Sequence, residues 1–90
     1  MPYIPQQDRL KFEQALVTLE DDLTAIGTKP PLAGELNYVI SSLIWRVFDQ
    51  CPSYTLANSL VGVLECVKQE FIRRRLNDYE DKKILENGDL

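Results

Sequence analysis

Three consecutive arginines, Arg73, Arg74 and Arg75, are the densest concentration of chemically directed side chains in this 90-residue chain. A guanidinium group binds carboxylate or phosphate through two parallel hydrogen bonds, so a cluster near a helix end suits a nucleotide-like anion or an acidic partner. Their neighbour Glu70 supplies a simpler explanation. It stands three residues before Arg73 and four before Arg74, the spacings at which ion pairs form within one helix. Consecutive positions on a helix also point in different directions, so all three arginines cannot serve one site in one subunit. Pairing within the helix, with the acidic tail or with the first helix is therefore the expectation that an anion site must displace.

Two further clusters carry directional polar groups. Glu35, Asn37 and Tyr38 lie in the segment GELNYVI at the start of a predicted helix, where a carboxylate is favoured by the helix dipole. Tyr79, Glu80 and Asp81 open a polar C-terminal stretch that includes Lys82, Lys83, Asn87 and Asp89, a composition that reads either as a solvated helix surface or as a docking strip. These three clusters give the candidate ligand- or partner-binding residues: Glu35, Asn37, Tyr38, Arg73, Arg74, Tyr79, Glu80 and Asp81.

Several chemistries are disfavoured. The chain has no histidine, the commonest general base, and no glycine-rich loop of the phosphate-cradling kind. Cys51 and Cys66 are the only cysteines, and two thiols without histidine do not complete the usual four-ligand zinc site. Cys66 falls inside a predicted helix beside its apolar stripe and is expected to be a buried free thiol. Glu20, Asp21 and Asp22 fan out around a helix and are expected to be solvated rather than to share a metal. Glu35, Glu65 and Glu70 keep an enzymatic alternative open, but the expectation is a protein without catalysis, cofactor or metal. The net charge of −4 argues against nucleic-acid binding, which is built on clustered cations. No apolar run is long enough to cross a bilayer and the start MPYIPQQDR has no apolar leader segment, so a cytoplasmic protein is expected.

The elements that would position these residues follow from apolar spacing. Ala57, Leu60, Val61, Leu64, Val67 and Phe71 recur at steps of three and four and predict a helix over 53–76, with Ser53 as its N-cap. Phe12, Leu16, Leu19, Leu23 and Ile26 predict a helix over 8–27, ended by Gly27. Leu36, Ile40, Leu43 and Val47, widened by Val39, Ile44, Trp45 and Phe48, predict a helix over 34–49. That apolar surface is broad enough for this helix to be the most buried element, or to face both a core and another subunit. Residues 1–7, with Pro2 and Pro5, read as an extended arm whose Tyr3 and Ile4 staple it to the core or dock on another subunit or partner, and 77–90 as a polar tail that prolongs the third helix or forms a short fourth one after a break at Asn77. Gly62 suits a close helix approach.

The expected fold is a single all-α domain, a small three-helix bundle with an extended arm and a polar C-terminal helix or tail. A core this small is modestly stable alone, which favours a homo-oligomer. The leading functional expectation is a small binding protein that acts through protein–protein contact with itself or another protein; the alternative is capture of a small anionic or nucleotide ligand.

The opening MPYIPQQDR, GELNYVI, GVLECVKQEF followed by two arginines, and the closing YEDKKILENGD together resemble an uncharacterised family of small bacterial and bacteriophage proteins. The resemblance implies a short cytosolic protein, often virus-encoded, and carries no activity with it. Its polar motif positions are Glu35, Asn37, Tyr38, Glu65, Glu70, Arg73, Arg74, Tyr79, Glu80, Asp81, Asn87 and Asp89. In that family an aromatic often stands where this chain has Ile72, and the tail tends to run on past the point where this chain has Leu90.

Overall fold

The computed structural model describes residues 4–24 and 33–90, and the chain is all-α. Three helical runs account for it, with no strand among the described residues, which is the fold class that the apolar spacing predicts. The chain divides into two units, Pro2–Gln50 and Cys51–Leu90 with Met1.

In the first unit, α1 spans Gln6–Thr24 and α2 spans Ala33–Gln50. Helix α1 begins earlier than the two prolines suggest. Pro5 stands just before the helix, where its missing N–H leaves no helical bond unmade, and its carbonyl accepts the Asp8 amide at 3.0 Å. Arg9 ties the preceding backbone down, its Nε donating to the Ile4 carbonyl at 3.1 Å. Ile4 is exposed rather than stapled into a core, and Tyr3, Ile26 and Gly27 lie outside the described residues.

Of the two expectations for α2, that of a buried helix is not met, since none of its residues is buried and Trp45 is 67% exposed. The reason is geometric. At about 100° per residue, its apolar side chains from Val39 round to Phe48 cover roughly half the helix circumference, and Trp45 and Tyr38 lie beyond that arc. One neighbouring helix covers a stripe, not half a cylinder. Val39, Ile44 and Phe48 are half-buried, while Leu36, Ile40 and Leu43 remain exposed.

In the second unit, α3 spans Tyr54–Phe71, a π-helical turn spans Ile72–Leu76, and α4 spans Asn77–Asn87. The start is capped as its sequence predicts: Ser53 is extended and its Oγ accepts the Leu56 amide at 3.0 Å. Of the two expectations for the tail, prolongation of the third helix is the one found, and there is no break at Asn77. Phe71, Ile72, Leu76 and Asn77 all hold right-handed helical angles, so the first eleven residues of the polar tail prolong α3 into one run about 50 Å long at 1.5 Å per residue. Gly88 ends it, with φ at +85°, a value that favours glycine, and its amide bonds the Ile84 carbonyl at 2.8 Å.

No described residue is buried, so the closed hydrophobic core expected of a three-helix protein is not formed among them. Cys66, expected to be buried, is half-buried, and both cysteines are free thiols. Among the described residues of its unit, nothing lies within 4 Å of where a side chain on Gly62 would begin.

Candidate functional site

The candidate residues fall into both units. Arg73 and Arg74 lie in the π turn, which is wider than an α turn because its amides reach five residues back. Arg73 Nη2 bonds both carboxylate oxygens of Glu70, at 3.0 and 3.2 Å, and Arg74 Nη1 lies 3.8 Å from the same carboxylate. The in-helix pairing that the three- and four-residue spacings predict is therefore formed. Arg73 and Arg74 remain more than half exposed, and pairs of this kind contribute little to stability, about 0–1 kcal/mol. Arg75 has no ion pair among the described residues. It stands four residues after Phe71 and four before Tyr79, both 59% exposed.

Glu65 is committed in the same way as Glu70. Its Oε1 accepts from Gln69 Nε2 at 2.9 Å and lies 3.8 Å from Lys68 Nζ. In α4, Lys83 bridges two neighbours, with its Nζ 3.2 Å from Glu86 Oε2 and 5.5 Å from the centre of the Tyr79 ring. Glu80 and Asp81 are exposed on the same helix. Tail residues thus run along the helix axis beyond the arginines, and the ion pairs of Arg73 and Arg74 given above close on Glu70.

At the start of α2, Asn37 is engaged by its own helix, its Oδ1 accepting from Ser41 Oγ at 3.1 Å. Glu35 and Tyr38 face an open groove of about 490 Å³ between the end of α1 and the start of α2, lined also by Leu19, Asp22, Leu23 and Val39. The walls are chiefly apolar, and Asp22 and Glu35 give the rim negative charge. Such a groove suits an apolar or cationic group better than a phosphate. Tyr38 is 72% exposed.

Among the described residues, no group of three or more histidine, cysteine or acidic side chains could hold a metal ion. No helix among them is long and apolar enough to cross a membrane. The feature that sequence reasoning missed is the π turn. No apolar step signals it, since Ile72 follows Phe71 directly and stands the ordinary four residues before Leu76.

Comparison with known proteins gives no match among curated proteins and none among solved structures. The family model described as Domain of unknown function (DUF6899) matches residues 1–90, and the chain belongs to that family.

Proposed function

We propose that this is a small non-catalytic binding protein that works through protein–protein contact and assembles as a homo-oligomer. The observation that carries the reading is the apolar line along α3. Val67 is 53% exposed and Phe71 59%, with Leu64 beside them also exposed. Helices owe most of their stability in water to packing of the apolar face, and a patch of large side chains left to solvent is how interaction surfaces are recognised. The broad apolar arc of α2 supports the same reading.

Resemblance to bacterial and bacteriophage proteins supports a setting in the cytosol of a bacterium or phage-infected host, with the protein modulating a host process. The decisive variants are Leu64→Asp and Val67→Asp, each placing a charge in the apolar line. Loss of self-association in both, measured by light scattering with helical content retained, is the expected result. Unchanged mass in solution for both variants would remove the reading.

A second reading, capture of a small anionic or nucleotide ligand, draws on Arg75, whose guanidinium lies between Phe71 and Tyr79 in sequence and has no ion pair among the described residues. An aromatic pair flanking a guanidinium suits a base joined to a phosphate. A thermal-shift screen with mono-, di- and cyclic nucleotides tests it: a midpoint raised in wild type and unmoved in Arg75→Ala supports it, and unmoved wild type discards it.

A further inference from the structure

We infer that the groove between the end of α1 and the start of α2 receives Arg75 of a second copy of this chain. The groove offers two carboxylates on apolar walls. Asp22 and Glu35 stand at its rim, Leu19, Leu23 and Val39 line it, and neither acid has an ion pair among the described residues. Apolar walls focus the field of such charges, so a cation with an apolar stem is the complementary occupant.

The chain itself carries a side chain of that kind. Residues 53–76 hold four cations, and their two acids are taken by three of them: Lys68 lies by Glu65, and Arg73 and Arg74 share Glu70. Arg75 is the one of the four without an ion pair among the described residues, although Asp78 stands three residues further on. It is exposed, and in sequence Phe71 and Tyr79 flank it, both 59% exposed. An arginine between aromatic side chains is the composition found at the centre of protein interfaces. Guanidinium is also weakly hydrated for a cation, which lowers the cost of seating it against apolar walls.

The charge left over on one surface is thus opposite to that left over on the other. The two surfaces differ, so a pair of copies makes this contact twice, each giving its arginine to the other. The inference rests on the reading of the protein as a homo-oligomer and adds a charged contact to the apolar line of α3. An arginine seated in the groove is withdrawn from nucleotide capture.

The test is sedimentation equilibrium of the full chain at low ionic strength, for wild type, Glu35→Arg, Arg75→Glu and an equimolar mixture of the two variants. Each variant alone sets like charges against each other, and its dissociation constant should rise about tenfold or more. In the mixture, the arginine placed at position 35 of one chain meets the glutamate placed at position 75 of the other, while Glu35 and Arg75 meet in the opposite direction. The mixture should associate about fivefold or more tightly than either variant alone. Arg46→Glu makes the same change of charge at an exposed arginine outside the groove and should stay within about threefold of wild type.

Variants that associate as wild type does overturn this inference alone and assign the groove to another occupant, such as a basic segment of a different protein. Weakening without recovery in the mixture overturns it too, since Glu35 and Arg75 then do not meet between copies, and so does equal weakening by Arg46→Glu. A wild-type chain that stays a single subunit at every concentration overturns both this inference and the self-association it rests on. If circular dichroism shows that a reversal costs helix, Glu35→Gln and Arg75→Gln replace the reversals: each should weaken association about threefold or more and reduce its sensitivity to salt, and no change in either overturns the inference.

Discussion

The backbone amide of Asn77 donates to the carbonyl of Ile72, five residues back rather than four. That bond joins α3 and α4 into one helix at the place where the sequence allows either a continuation or a break. Its neighbourhood holds the arginine triplet, the Glu70 pairs and the end of the apolar line, so the candidate site and the helix irregularity share the same residues. Coincidence of π turns with functional positions is a recurring property of such turns.

The Glu70 pairs should be electrostatic accessories rather than supports of the fold. Glu70→Gln is expected to lower stability by no more than about 1 kcal/mol, with the difference from wild type shrinking as salt is added. Urea unfolding at low and high salt checks this. A loss of several kcal/mol, insensitive to salt, would show that Glu70 holds something more than the two guanidinium groups.

Ser53 caps the longest helix of the chain through its Oγ and the Leu56 amide. Ser53→Ala should cost about 1 kcal/mol, and Ser53→Asp should restore most of it, because either side chain accepts the same amide. Chemical unfolding of the two variants is the measurement.

Gly62 sits within α3 with open space around it. Gly62→Ala should raise stability by about 0.5–1 kcal/mol by reducing the freedom of the unfolded chain. A lower unfolding midpoint in this variant would mean that a partner helix approaches at Gly62 in the assembled protein.

The two cysteines are free. Thermal unfolding should be the same with and without a reducing agent, and alkylation of the native protein should label Cys51, which is exposed, faster than the half-buried Cys66. Mass spectrometry of timed digests reads the order.

Much of the architecture was legible from apolar spacing and local chemistry. The helices, the Ser53 cap and the Glu70 pairs depend on residues a few positions apart, and such relations are written directly in a sequence. The π turn was not read, because no apolar step announces it: Ile72 and Leu76 stand at the ordinary helical spacing of four. The exposure of α2 was left open between two readings for a different reason. Its apolar arc declares that much surface seeks cover, but the extent of cover depends on how many neighbours it meets, which no local pattern contains. Among candidate residues, the spacing foretold that Arg73 and Arg74 would share Glu70, while the groove beside Glu35 and Tyr38 needs α1 and α2 in place and was invisible.

Self-association should cover the apolar line of α3, and the mass of the protein in solution tests this most directly. Sedimentation equilibrium of the intact chain should give a multiple of the 10.4 kDa subunit, falling toward a single subunit on dilution together with the thermal midpoint. A mass of one subunit at all concentrations, with a midpoint that does not depend on concentration, would contradict it.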